Sequence, residues 1–369
     1  MNHERRQQIA LIGVFVGFIV VYALFFLFLP KESTSALERR SLSKAPSVTA
    51  DSVFSGQFGK DAETYMSDHF PGRSNLVGLY AKWGLLTGRN GQNGIYIGKD
   101  ERLYPVPTAI NEALIERNCA AMREFAQGNG LQASYLIVPS VGSLDPDGLP
   151  QNHAPYRDAE ILSAIDKQLS EFTKITPVLQ AEHFYRTDHH WTSQGAYQAY
   201  LACAKAYGFA ANPKDAYRKQ TERDFYGTSY AKAGIWEITG DEIELWRGQT
   251  NISVEIHDDA AAPIYADDVF FEDALKTMDM YNVYLDGNHG RVRLTNPQGQ
   301  GKLLVIKDSF AQTLVPFLAE HYAQIDMIDL RHFRRMAVSE FAAQEGYADV
   351  LFIYGIDSVA ASNDLLWLQ

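Results

Sequence analysis

Two cysteines, Cys119 and Cys203, stand in 369 residues, and no Cys-x-x-Cys pair occurs, which leaves no basis for a thiolate zinc site. His-x-x-x-His and His-Glu-x-x-His are also missing, so no metal is expected. Gly88-x-x-Gly91-x-x-Gly94 has the wrong spacing for a dinucleotide fingerprint, and Gln300-Gly301-Lys302 lacks the upstream glycine of a phosphate loop. Basic residues are in deficit, 33 against 45 acidic, for a net charge of -12; a nucleic-acid partner would want a basic patch. No internal repeat or low-complexity block is present, and no cofactor is expected.

A long apolar run is present. Ile9 to Leu29 carries no charged side chain and is about long enough to cross a bilayer at 1.5 Å per residue. Arg5 and Arg6 precede it, and no comparable basic cluster follows, which orients the N-terminus to the cytoplasm. Phe25-Phe26-Leu27-Phe28-Leu29-Pro30 offers no small-x-small cleavage site, so an uncleaved signal anchor is expected rather than a signal peptide. That reading makes the chain a single-pass protein of the cell membrane, with everything after residue 30 extracellular or periplasmic. Residues 31–56, rich in Ser, Thr, Lys and Glu toward their start, read as an extended tether. Twenty flexible residues would span roughly 25 Å. The two cysteines fall in helix-like segments; either they pair or both are small buried hydrophobes. The second is expected, because a large core needs no staple.

Residues 57–107 read as a helical and hairpin lead-in, with Ile95-Tyr96-Ile97 and Arg102-Leu103-Tyr104 pairing around Lys99-Asp100-Glu101. After Pro107 helix and strand alternate. Helical patterns run over Asn111–Gln127, Asp158–Phe172, Ser193–Tyr207, Phe310–Tyr322 and Ala337–Glu345. Apolar strands are expected at Ala133–Val138, Thr176–Gln180, Leu303–Lys307, Ile325–Ile328 and Val350–Tyr354. Buried strands alternating with helices argue for a parallel sheet covered on both faces. Between about 208 and 300 the pattern changes to period two, at Glu242–Trp246, Ile252–Ile256, Met280–Leu285 and Arg291–Leu294. This stretch reads as a β-rich insertion, a lid or wall over a site. The expected fold is α/β, with a catalytic domain over 108–369 that contains the insertion.

The chemistry concentrates in Thr187-Asp188-His189-His190-Trp191-Thr192. An acid and two imidazoles in one short run need partners once removed from water. The run sits where a loop enters a helix. Asp-x-His spacing lets one carboxylate hold one imidazole in a chosen tautomer, the base half of a nucleophile–base–orienter triad. Ser309 is the candidate nucleophile. It follows the strand Leu303–Lys307 on a turn into a helix, at the strand end where α/β sheets place their sites. Standing alone, Asp188 and His190 would read as a structural network, and Ser309 or Asp308 as a helix cap. Together they point to catalysis by Asp188, His190 and Ser309. Tyr185, His189, Trp191, Lys307 and Arg331 are candidates for substrate contact or site wall; Arg331 has the second reading of pairing Asp329.

These residues resemble a known family. The Asp188–Trp191 run is similar to the signature of the DHHW family, related to the AlgX/AlgJ-type polysaccharide O-acetylation proteins within the SGNH hydrolases. Further matching stretches are Glu38-Arg39-Arg40, Tyr65 to Arg73, Asn93 to Asp100, Phe225-Tyr226-Gly227-Thr228, Lys307-Asp308-Ser309-Phe310 and Ile328 to Arg331. The serine stands in Lys-Asp-Ser-Phe rather than the Gly-Thr-Ser-Tyr of the alginate proteins. The resemblance implies an SGNH-hydrolase-like (flavodoxin-like) three-layer fold. It also implies O-acetyl transfer to an exported or cell-surface polysaccharide through an acetyl-serine, and a membrane-bound O-acyltransferase (MBOAT) as partner. Two alternatives share the motif: a polysaccharide O-acetylesterase, and a non-catalytic glycan-binding or acyltransferase-docking protein.

Overall fold

The apolar run forms one helix, α1 (His3–Phe28), in a computed structural model that describes residues 3–258, 262–334 and 336–368. Among the described residues it is the one helix long and apolar enough to cross a membrane, with mean hydropathy 2.8 in an 18-residue stretch within Arg5–Phe28. It belongs to a compact unit made of the chain to Gly88 together with Gly234–Trp236. That unit also holds a short helix at Ala50–Phe54 and two longer ones, α2 (Gln57–Asp68) and α3 (Arg73–Leu86), the longer two each entered through a glycine with positive φ, Gly56 and Gly72.

The expected tether is not extended chain throughout. Thr34–Ser35 pairs antiparallel with Arg40–Ser41. The Arg40 guanidinium grips the Asp68 carboxylate through two hydrogen bonds of 2.6 and 3.1 Å, and Ser43 N–H donates to the same group at 2.8 Å. That fork holds the Asp68 carboxyl well below the usual range. Arg73 donates to Glu38 at 2.9 Å. Local composition reads as unstructured here because the ordering partners, Asp68 and Arg73, lie about thirty residues downstream in the chain. The span expected for a flexible leash therefore does not apply to residues 34–43.

The second unit, residues 89–233 and 237–369, is built on an eight-stranded sheet. In chain order its strands are β1 (Gln132–Val138), β2 (Thr173–Lys174), β3 (Ser253–His257), β4 (Ile264–Ala266), β5 (Arg291–Thr295), β6 (Lys302–Lys307), β7 (Gln324–Ile328) and β8 (Asp349–Gly355). Their order across the sheet is β4-β3-β5-β7-β6-β8-β1-β2. β7, β6, β8, β1 and β2 run parallel, as alternation with helices requires. β5, β3 and β4 continue the sheet antiparallel from the free edge of β7. The sheet is thus mixed rather than wholly parallel. Period-two alternation identifies the strands at 241–247, 253–257 and 291–295 but not those at 218–225 and 264–266, and edge pairing places 253–257, 264–266 and 291–295 in the main sheet instead of in a separate insertion. Residues 218–225 and 241–247 form their own antiparallel pair.

Both faces are covered, giving three layers. Alternation along β6 sends Leu303 and Val305 into a core with Trp191, Tyr200 and Leu314, and Leu304 and Ile306 into a second core with Met122, Ile165 and Phe352. The first core is closed by α6 (Ser193–Tyr207) and α7 (Ala311–Ala319). The second is closed by α4 (Glu112–Gly128), α5 (Asp158–Gln168), α8 (Val338–Glu345) and α9 (Ile356–Ala361). Cys203 and Cys119 fall one in each core, free and fully buried, and burial pushes both thiols up to about 12. Two expected strands differ. Thr176–Gln180 is not a strand, because Pro177 has no N–H to give a ladder and pairing ends at Lys174. Within Met280–Leu285, Met280–Val283 is a 3-10 turn, with Tyr281 and Val283 buried.

Candidate active site

Thr187 and the residues around it fold into a tight loop. The chain turns back on itself: Thr192 N–H donates to His183 O at 2.8 Å and Tyr185 N–H to His190 O at 3.1 Å. The turn is held from outside by Asp241, whose carboxylate accepts from Arg186 N–H (3.0 Å), Thr187 N–H (2.8 Å) and Thr187 Oγ1 (2.6 Å). Thr192 then caps α6 by accepting from Gly195 N–H at 3.3 Å. The charged run is exposed to neither strand nor helix geometry, and its side chains are free to aim in different directions.

Asp188 and His190 aim at each other. Asp188 Oδ1 accepts from His190 N–H at 2.9 Å and lies 2.5 Å from His190 Nδ1. The other oxygen, Oδ2, accepts from Thr228 N–H at 2.6 Å and Thr228 Oγ1 at 2.9 Å. A Cβ at position 227 would stand 2.3 Å from that same oxygen, so glycine is required for the backbone to approach. Burial pushes the Asp188 carboxyl up, but the adjacent His190 and His189 imidazoles and the hydrogen bonds outweigh it and hold the group well below the usual range. His190 is sandwiched as well as hydrogen-bonded. Tyr281 stacks on it at 4.1 Å and 13°, and Phe310 meets it edge-on at 5.1 Å.

The remaining imidazole nitrogen, His190 Nε2, lies 2.6 Å from Ser309 Oγ. Ser309 is placed by its neighbours. β6 ends at Lys307, Asp308 N–H adds one more bond to Ile353 O at 3.0 Å, and α7 begins at Ala311. The Asp308 carboxylate accepts from Phe310 N–H (3.0 Å), Gly355 N–H (2.7 Å) and Ser358 Oγ (2.7 Å), pinning the turn to the start of α9. Trp191 Nε1 donates to Phe310 O at 3.1 Å from the other side. The result is a continuous Asp–His–Ser hydrogen-bond relay, drawn from residues 119 apart in the chain at its widest step.

Ser309 opens on a cleft of about 380 Å3, lined also by His189, Thr228, Ser140, Arg331 and Asp357. Burial, then the Asp158 charge, raises the Asp357 carboxyl, opposed by a Thr108 hydrogen bond. The candidates for site wall divide. His189 and Arg331 line the cleft; Tyr185, Trp191 and Lys307 stand behind it. Tyr185 is buried against Phe225 and Tyr281, and Trp191 is wholly buried under the Ser309 turn. Lys307 is also buried, with Nζ 3.1 Å from Asn288 Oδ1 and 3.2 Å from Asp329 Oδ2. Burial lowers its ammonium and the Asp329 charge opposes that shift. Arg331 satisfies both of its readings, since it faces the cleft while forking onto Asp329 at 2.8 and 2.6 Å. Asp188, His189 and His190 also place ligand atoms within 4.8 Å of one another. A metal there would have to displace the partners that both His190 nitrogens already have.

Thr228, Gly227 and Tyr281 carry site geometry that sequence reasoning did not assign. Gly227-Thr228 lies in a stretch shared with the resembling family, and a Gly-Thr pair by itself has many readings. Tyr281 was masked by the period-two reading of its segment.

The second unit is thus a three-layer α/β domain with the Asp188–His190–Ser309 hydrogen-bond line at the end of its parallel strand β6. Residues 175–328 match the DHHW protein family, and residues 95–236 match the SGNH hydrolase-like domain of the acetyltransferase AlgX. Among curated proteins the chain is similar to a probable alginate O-acetylase, AlgJ, of Pseudomonas syringae pv. tomato, at 26% identity over 208 residues, 52% of this chain and 50% of that protein. The chain spans about half the length of the curated relatives it matches. Two solved structures share its fold. A DHHW family protein from Eubacterium siraeum gives a TM-score of 0.64 at 20% identity, covering 74% of this chain and 94% of that one. Bacillus cereus PatB1 with a sulfonyl adduct gives 0.64 at 19% identity, covering 74% and 98%.

Proposed function

We propose that this chain is a polysaccharide O-acetyltransferase that works through an acetyl-serine. The observation that carries the reading is the unbroken hydrogen-bond relay from Asp188 through His190 to a serine hydroxyl that opens on a cleft. Similarity to alginate O-acetylases supplies the acyl group and the acceptor class. Ser309 Oγ attacks the acetyl carbonyl while its proton passes to His190 Nε2, and Asp188 stabilises the imidazolium. The donor's oxygen or sulfur leaves with that proton. A sugar hydroxyl then attacks the acetyl-serine, gives its proton to His190, and departs as the acetyl ester with Ser309 restored. Water in place of the sugar makes the same relay an acetylesterase. Ser309→Ala is expected to cut hydrolysis of a chromogenic acetyl ester by about 10⁶-fold and to remove the acetyl mass from the 309 peptide. His190→Ala should match it on the ester. Undiminished activity in either variant sinks the relay.

The same reading assigns α1 as an uncleaved anchor that holds the domain outside the cytoplasmic membrane, beside a membrane-bound O-acyltransferase that delivers acetyl groups. Anchoring raises the effective concentration of donor and acceptor without further contact surface. Replacing α1 by a cleaved signal peptide should leave small-ester hydrolysis unchanged and lower polysaccharide acetylation in cells. Wild-type acetylation by the released form would remove the anchor's role.

A further inference from the structure

Helix α3 is packed inside out. Its buried residues are the small ones, Gly78, Ala81 and Gly84. Its large apolar side chains point outward, with Leu76 45%, Leu79 64%, Trp83 63% and Leu86 82% exposed. At 3.6 residues per turn these four, with Tyr80 at the edge, fill an arc of about 120°. Asn75 and Lys82 flank it on one side. The inner face is small for a stated reason. Trp236 lies against it, donating from Nε1 to Ser74 O at 2.8 Å, and a Cβ at Gly78 would come 2.9 Å from the indole. No such packing demand explains the outer face. A helix bathed in water would bury the leucines and expose the polar residues.

The surroundings of α3 within its own unit identify what covers that face. α2 and the turn into α3 pack on the C-terminal end of α1: Phe70 stacks on Tyr22 at 5.2 Å, and Tyr65 meets Phe26 edge-on at 5.9 Å. Tyr22 and Phe26 lie in the last two turns of the membrane-length helix, and α3 starts three residues after Phe70. The start of α3 is therefore tied, through Phe70, to the last two turns of α1. Tryptophan and tyrosine beside leucines, with a lysine at the margin, is the composition of a helix lying in a bilayer interface.

We infer that α3 is an interfacial membrane helix, docking its Leu76–Leu79–Trp83–Leu86 face into the lipid surface from which α1 emerges. The inference rests on the reading of α1 as a membrane anchor. It makes the membrane attachment two-point, one helix across and one along the surface, so the first unit cannot swivel freely on α1. The occupant is the lipid itself rather than a protein groove.

The test uses the full-length chain in phosphatidylethanolamine–phosphatidylglycerol proteoliposomes. Single cysteines at Leu79→Cys, Trp83→Cys and Leu86→Cys, with Phe18→Cys for comparison, are labelled with an environment-sensitive fluorophore; Cys119 and Cys203 are fully buried and stay unlabelled. Lipids carrying a nitroxide near the headgroup or near the chain end report depth. The three α3 probes should have emission roughly halved by the shallow nitroxide and little changed by the deep one. The Phe18 probe should show the reverse. If the Phe18 probe is quenched by lipid while the α3 probes are quenched only by aqueous iodide, the interfacial helix is wrong and the anchor stands. If α3 probes are shielded from both iodide and lipid, a protein partner or second copy covers the face and the inference falls. If the Phe18 probe meets no lipid, the anchor reading fails and takes this one with it.

Discussion

Lys307 and Ser309 stand two residues apart at the end of β6 and lead into opposite kinds of polar network. Ser309 terminates an open one: Asp188, His190 and the hydroxyl form a line whose last member faces the cleft. Lys307 belongs to a closed one, in which Asp329 is shared between the buried ammonium and the Arg331 fork. Both networks hold a carboxylate far below its ordinary range by similar means, burial overcome by adjacent cations and donors. The difference lies in what is left over. Every charge of the closed network is answered inside it, so its effect is to fasten β6 to the end of β7. The open network leaves a serine hydroxyl with the His190 imidazole at 2.6 Å and the cleft beyond. Perturbed carboxyls alone do not separate a site from a strut; the direction in which the hydrogen bonds end does.

Breaking one member of each network should therefore have different readouts. Beyond the large activity loss expected for Ser309→Ala with an unchanged melting midpoint, the next largest effect is Lys307→Met. It strands Asp329 with one cation where two were present, and the lysine and carboxylate side chains are both 0% exposed. Removing one partner of a buried pair costs about 3–5 kcal/mol. Chemical denaturation should show that loss, while ester hydrolysis at low temperature persists. Lys307→Met combined with Asp329→Leu should recover part of it, because Arg331 is 37% exposed and can turn to water. A Lys307→Met protein that keeps its stability but loses activity would move Lys307 into the open network and erase the contrast.

The contrast also explains what the sequence made legible. The parallel core was readable because Leu303–Ile306 and Val350–Ile353 are apolar on both faces and only a doubly covered sheet buries both. Asp188, His190 and Ser309 were readable because a dense polar run and a strand–helix turn are rare enough to notice together. Three things were not. Alternation in Ser253–His257 and Arg291–Thr295 announces strands but carries no record of which edge they join, and the free edge of β7 took them. Lys307 and Ser309 are neighbours in one motif, yet Lys307 meets Asn288 and Asp329 while Ser309 meets His190. Thr228 meets Asp188 across forty residues, and a threonine hydroxyl has no pattern to betray such a meeting.

Thr228 gives the smallest and sharpest test. Its hydroxyl donates to Asp188 Oδ2 and lies 2.9 Å from His189 Nδ1, while its backbone N–H donates to the same Asp188 oxygen whatever the side chain. Thr228→Val removes only the hydroxyl and nearly preserves the volume. One hydrogen bond to a charged group is worth about 1.5–3 kcal/mol, and the donors left in place should keep the effect at the low end. The pH dependence carries the assignment. Asp188 is depressed in the folded protein relative to an exposed aspartate at about 3.9, so the unfolded chain takes up protons first as pH falls. Its stabilising contribution is present above about pH 4 and is lost as pH falls toward the folded value. Without the Thr228 hydroxyl the folded value rises, so the acid loss of stability still begins near pH 4 but ends at a higher pH and is smaller in total. Urea midpoints followed from pH 6 to as far below pH 3 as the fold persists should therefore show the Thr228→Val deficit shrinking toward the acid end, with Thr228→Ser restoring the wild-type curve. An equal shift at every pH would mean the hydroxyl merely packs, and that Asp188 is held by His190 and the backbone alone.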